Sequence, residues 1–173
     1  WSSDVCSSDL AIVRGAFEYQ GQKCSAASRA YIPQSIWELT KEHVLRMISE
    51  IRIGNVTDLN NFVNAVIDEP SFDRIMSYIK KAQESDKAEI IAGGKGDMSK
   101  GYFIEPTVII AKDPHFITME EEIFGPVMTI YVYEDDEYEE TLKLCDETSP
   151  YGLTGAIFSR DRYAMVKACR ILR

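Results

Sequence analysis

From Ala11 onward the apolar residues recur with two alternating periods, near 3.6 and near 2. Ile12, Val13, Ala16 and Phe17 share one helical face, which the loop Tyr19-Gln20-Gly21-Gln22 ends. Ala30-Tyr31-Ile32 reads as a short strand stopped by Pro33. An amphipathic helix over about 34–51 places Ile36, Leu39, Val44, Leu45 and Ile48 near helical spacing. Pro70, suited to a first helical turn, opens a second helix with Phe72, Ile75, Met76 and Ile79 inward. Residues 89–92 predict a strand, turned by Gly93-Gly94-Lys95-Gly96, and 102–111 and 127–133 are the longest strand candidates. A helix over 136–148, a strand over 154–158 and a last helix capped by Asp161 complete the pattern. The alternation implies an α/β fold, a largely parallel sheet flanked by helices.

The first ten residues follow neither period. They are a near-repeat of small polar residues, with Ser-Ser-Asp occurring twice, and lack the basic, apolar and cleavage regions of a signal peptide. Residues 1–10 are therefore expected to be a non-native or disordered leader, and 11–173 one domain without a linker or repeat. The last helix, with Tyr163, Val166, Ile171 and Leu172 apolar, runs to Arg173 with no capping glycine. The expectation is a domain truncated at both ends.

Composition narrows the chemistry. At 173 residues and 45% hydrophobic, the chain can bury a sizeable core. Asp and Glu number 28 against 19 Lys and Arg, and a net charge of -9 disfavours phosphate backbones, so nucleic acid is not an expected partner. No apolar run reaches the roughly 20 residues that a membrane span needs. Cys6, Cys24, Cys145 and Cys169 form no CxxC pair, and His43 and His115 lie in no metal-binding spacing, so no metal is expected.

Among candidate sites, Gly93-Gly94-Lys95-Gly96 matches neither phosphate-binding pattern and reads as a turn. The acidic run 134–137 reads as a solvated loop, whereas Glu120-Glu121-Glu122 abuts a buried strand. Cys24 follows a loop and is expected beside a short helical turn, where the helix dipole favours the thiolate. On pattern alone a buried structural Cys and a nucleophile stay equally open. Cys145 and Cys169 are expected to fill the core. A cysteine hydrolase would need His43 or His115 within hydrogen-bond reach of Cys24, and their placement in a helix and after Asp113-Pro114 argues against it.

Four motifs carry a resemblance. The stretch from Phe17 to Ser25 resembles the cysteine motif of the aldehyde dehydrogenase superfamily. Glu121-Glu122-Ile123-Phe124-Gly125-Pro126-Val127, Tyr151-Gly152-Leu153-Thr154-Gly155 and Gly101-Tyr102-Phe103-Ile104-Glu105-Pro106-Thr107 resemble its other hallmarks, in matching order. The Phe17-Glu18-Tyr19 lead-in, Lys23-Cys24-Ser25 and Asn64-Ala65-Val66-Ile67-Asp68 are similar to the branch that oxidises L-glutamate 5-semialdehyde to L-glutamate in proline degradation. The resemblance implies NAD as cofactor and Cys24 as nucleophile. It implies that Glu122 and Phe124 contact the nicotinamide ribose and that Ser25 contacts the substrate. It further implies a small aldehyde as partner, a homo-oligomeric parent, and a cytoplasmic or, in a eukaryote, mitochondrial-matrix location. The family's dinucleotide segment, general base and oxyanion asparagine would precede Cys24, so the polypeptide alone is expected to be inactive. Alternatives are a non-catalytic remnant or interaction fragment, and a family member of other specificity.

Overall fold

Val127–Tyr133 is a run of seven β-branched, aromatic and apolar residues, and it becomes a central strand of the main sheet. A computed structural model describes residues 3–172. In chain order they form α1 (Ser3–Phe17), β1 (Arg29–Pro33), α2 (Gln34–Ser49), α3 (Glu69–Gln83), β2 (Ala88–Ala92), β3 (Gly96–Asp97) and β4 (Phe103–Ile104). There follow β5 (Thr107–Ala111), α4 (Ile117–Glu120), β6 (Val127–Tyr133), α5 (Tyr138–Glu147) and α6 (Arg162–Ile171). The sheet order is β1-β6-β5-β2, with β1 and β5 parallel to β6 and β2 antiparallel to β5. The fold is the expected largely parallel sheet flanked by helices.

Strand alternation divides the core. Val108 of β5 with Met128 and Ile130 of β6 face α1 and α2, where they meet Val13, Phe17, Trp37 and Val44. Ile109 and Ala111 with Val127 face the other side, against Ile75 and Ile79 of α3 and Met119 of α4. Each central strand is covered on both faces, which is why its sequence reads as a continuous apolar run.

Several expectations are corrected. Residues 3–10, expected to be a non-native or disordered leader, form the first part of α1, and Asp9 is buried with its carboxylate 2.7 Å from His43 Nδ1. Residues 1 and 2 lie outside the described residues. The single strand over 102–111 is two, β4 and β5, because Pro106 between them has no N–H to donate. Residues 154–158, expected as a strand, form none: among the described residues no backbone ladder pairs with them. On α6, Tyr163 and Val166 are exposed and Ala168 alone is buried, and the helix is tied to α5 by Tyr138 Oη donating to Ala164 O at 3.0 Å. Cys169, expected in the core, is exposed, while Cys145 is half-buried, and burial raises its thiol pKa.

Helix α3 matters most for the site. Asp68 accepts from Ser71 N at 2.9 Å and Pro70 occupies its first turn, so two start signals coincide. The hydrogen bonds from Ser71 hold the Asp68 carboxyl below its ordinary pKa. A group depressed in this way stabilises the fold above the ordinary carboxylate range and loses that contribution as pH falls through its folded value. Asp68→Ala should lower the thermal midpoint by about 2 °C at neutral pH. In thermal melts at stepped pH, the gap from wild type should close in acid.

Candidate active site

The cysteine loop begins where α1 runs out. After Phe17 a single 3₁₀ turn, Glu18–Gly21, puts Tyr19, Gln20 and Gly21 successively in the left-handed region, with φ of 58°, 58° and 64°. For a residue with a Cβ that conformation costs about 1–2 kcal/mol, so the surroundings must impose it. The Gln20 amide does so on one side: its Oε1 accepts from Asn64 N at 3.1 Å and its Nε2 donates to Ala65 O at 3.3 Å. Lys23 closes the base of the loop with an ion pair to Glu18 at 3.0 Å, which lowers the Glu18 pKa.

Cys24 and Ser25 are the exposed tip of a turn in which Ala26 N donates to Lys23 O at 3.1 Å. The chain then passes through Ala27, whose N–H donates to Gly15 O at 2.9 Å, and enters β1. Cys24 therefore does not precede a helix, and the expected dipole is not there to act on its thiol. What the fold supplies is presentation: an exposed thiol on a turn anchored to α1 before it and to the sheet after it.

The second loop is the acidic run between α4 and β6. Its three carboxylates have different surroundings. Glu120 Oε1 lies 3.0 Å from His115 Nδ1, and Glu121 Oε2 accepts a hydrogen bond from the Tyr78 hydroxyl of α3. That acceptor, together with burial, raises the Tyr78 pKa, so the hydroxyl stays protonated and donating. Glu122 is exposed and is held through its backbone carbonyl, which accepts from Arg74 Nη1 at 3.4 Å. Two more carbonyls of this run are clamped, Met119 O by Arg29 Nη1 at 3.2 Å and Glu120 O by Ser149 Oγ at 2.7 Å. Phe124, with its ring partly exposed, is again left-handed at φ 54°.

The two loops meet at a pair of glycines. A Cβ on Gly21 would stand 2.7 Å from the carbonyl carbon of Gly125 and 2.8 Å from Ala16 O, so only glycine lets the two backbones lie this close. Cys24 is three residues from this contact and Phe124 is adjacent to it. All the non-glycine residues with positive φ among the described residues, Tyr19, Gln20 and Phe124, belong to these two loops. Strain of this kind clusters at functional sites in proteins, which makes these two loops the candidate site.

The structure thus brings together the loops carrying Cys24, Ser25, Glu122 and Phe124. Of the expected turn Gly93–Gly96, Gly93–Lys95 link β2 to β3 and Gly96 already pairs in β3, with Gly94 N donating to the Thr107 hydroxyl at 3.0 Å. His43 faces Asp9 and His115 faces Glu120. Sequence reasoning missed Gln20, Arg29, Arg74, Tyr78 and Ser149. Arg74 and Tyr78, four apart on α3, carry a spacing signal that they share a face, but not what that face meets. Gly21→Ala should lower the thermal midpoint by more than about 4 °C, because left-handed strain and a backbone overlap add. Iodoacetamide labelling of Cys24 should change in rate as the loop shifts.

Comparison with known proteins agrees with this geometry. The profile of the aldehyde dehydrogenase family matches residues 4–173. The chain is 61% identical over 161 residues to the mitochondrial delta-1-pyrroline-5-carboxylate dehydrogenase of Dictyostelium discoideum, covering 93% of this chain and 29% of that protein. It is 49% identical over 173 residues to the human mitochondrial enzyme of the same name, covering 99% and 31%. A crystal structure of delta-pyrroline-5-carboxylate dehydrogenase from Mycobacterium tuberculosis bound with NAD superposes with a TM-score of 0.89 at 40% identity, covering 96% of this chain and 30% of that one. The chain thus spans about 30% of the length of these relatives. With the four motifs, the mostly parallel sheet and the profile match in agreement, the chain belongs to the aldehyde dehydrogenase family.

Proposed function

We propose that this chain is the part of an NAD-dependent dehydrogenase that carries the nucleophile and the nicotinamide-side ribose contacts, and that the whole enzyme oxidises L-glutamate 5-semialdehyde to L-glutamate. The carrying observation is the Gly21–Gly125 contact, which sets the Cys24 loop beside the Glu122–Phe124 loop. Relatives named for this activity at 61% and 49% identity support the substrate, and NAD-bound neighbours support the cofactor. The residues suit that cofactor. The exposed Glu122 carboxylate is an acceptor for vicinal ribose hydroxyls, and the partly exposed Phe124 ring offers a face to a sugar.

In this reading the Cys24 thiolate attacks the aldehyde carbon. The new carbon–sulfur bond pushes the carbonyl electrons onto oxygen, and the Cys24 backbone N–H donates to that oxyanion. Bound NAD supplies the hydride acceptor. As the C–H electron pair leaves the carbon, the carbonyl reforms as a thioester on Cys24. Water then releases the carboxylic acid and the thiol. Ser25, beside Cys24 at the tip of the turn, contacts the carboxylate end of the substrate. Assembly as a homo-oligomer and a mitochondrial-matrix or cytoplasmic location belong to the same proposal, the former on family resemblance and the matrix on the mitochondrial relatives.

In the full-length enzyme Cys24→Ser should reduce NADH formation from glutamate semialdehyde to background, because an alcohol lacking a base is a far weaker nucleophile. Cys145→Ser and Cys169→Ser should leave the chemical step nearly intact. Normal turnover by Cys24→Ser would overturn the mechanism. Glu122→Gln should bind NAD with modest loss but transfer hydride on the order of a hundredfold more slowly, since displacement by about 1 Å can cost that much. Single-turnover kinetics separates the steps, and unchanged hydride transfer with slow thioester hydrolysis would make Glu122 a general base instead.

A further inference from the structure

Three consecutive glutamates of equal intrinsic acidity enter β6, and nothing in their own chemistry selects one as a ligand for a sugar. Selection comes from helix α3. Tyr78 is buried at its ring and reaches Glu121 with its hydroxyl, while Arg74, one helical turn earlier, reaches the Glu122 carbonyl at 3.4 Å. Between them on the same face, fully buried Ile75 packs under Gly125, so closely that a Cβ there would stand 2.7 Å from Ile75 Cγ1. Lys81 Nζ lies 4.9 Å from the Tyr78 ring centroid, a cation–π contact to the same ring. One rigid helical face therefore grips the loop at Glu121, Glu122 and Gly125.

We infer that Tyr78 is a positioning residue: by holding the Glu121 carboxylate against α3 it fixes the backbone so that Glu122 and Phe124 alone are presented to the cofactor ribose. The inference rests on the proposed role of Glu122 and goes beyond it by assigning the group that sets its orientation. Tyr78 touches neither substrate nor cofactor. An extended backbone sends successive side chains to opposite sides, and Glu121 is extended, with φ -99° and ψ 149°. Glu121 and Glu122 are both exposed and leave the backbone on opposite sides, the Glu121 carboxylate held by Tyr78 and Glu122 held through its backbone carbonyl. Without the anchor, the Glu121 carboxylate is released to compete with Glu122, while Arg74 and Ser149 still hold the backbone of the loop.

The test uses the full-length enzyme with Tyr78→Phe, which keeps the ring and its packing and removes only the donor. Glu121→Ala and the double variant complete a cycle. Hydride transfer in single turnovers should slow on the order of tenfold in each single variant, and no further in the double, as expected if misplacement is the cause. Iodoacetamide alkylation of Cys24, read at its own peptide, should keep its wild-type rate, because Tyr78→Phe leaves the Gln20 hydrogen bonds and the Gly21–Gly125 contact in place. The thermal midpoint should stay within about 3 °C of wild type, as for loss of one partly exposed hydrogen bond. Unchanged hydride transfer in Tyr78→Phe, beside a slow Glu122→Gln enzyme, would overturn the inference while leaving the proposed function standing. Alkylation that slows as much as hydride transfer, or fully additive effects in the double variant, would also overturn it. Normal hydride transfer in Glu122→Gln would instead remove the role of Glu122 on which the inference rests.

Discussion

Everything around the site depends on one close approach of two main chains, Gly21 against Gly125. A backbone contact without side chains is unforgiving, because neither partner has a rotamer with which to yield. It sets the separation of two loops that are more than a hundred residues apart in sequence, and each loop is bent into a left-handed conformation to reach it. The strain at Tyr19, Gln20 and Phe124 is compensated by what surrounds them. The Gln20 amide bonds in both directions to the 64–65 segment, and four side chains clamp the acidic run.

Those clamps come from different parts of the fold. Arg29 opens β1, Arg74 and Tyr78 lie on α3, and Ser149 follows α5. Where the chain leaves α4 for β6, the carbonyls of Met119, Glu120 and Glu122 and the carboxylates of Glu120 and Glu121 each have a side-chain partner. The sheet contributes the floor: Thr129 of β6 donates its N–H to Ser28 O at 3.0 Å just after the cysteine turn, and its hydroxyl meets Thr118 of α4 at 2.9 Å. Sheet, helix face and loop act as one support. The cysteine is exposed but not adrift.

Much of this was legible in the chain before any coordinates. The apolar periods located α2, α3, β1, β2 and β6, because burial on one or two faces leaves a periodic mark whatever the partner is. Partners themselves leave no such mark. Residues 154–158 have strand-forming composition, yet no backbone ladder pairs with them and they stay mostly exposed. Cys24 was found by motif, but its surroundings were misjudged, since a turn and the first turn of a helix look alike over four residues. Tyr78 and Arg74 read as ordinary positions at the margin of an apolar face. Their importance comes from the loop they meet some forty residues later, which no local pattern encodes.

The pairing of β1 with β6 has a consequence for the order of events during synthesis. Arg29 aligns with Thr129, a hundred positions later, and the strands are parallel, so no hairpin can bring them together. At about 5–20 residues per second, roughly 5–20 s separate the emergence of the two halves of the site from the ribosome. Long-range parallel pairing of this kind is also intrinsically slow. For that interval the cysteine loop has α1 and, once it has emerged, the 64–65 segment that Gln20 grips, but not the Gly125 loop. The thiol exists before its surroundings do, so the site is a late product of folding.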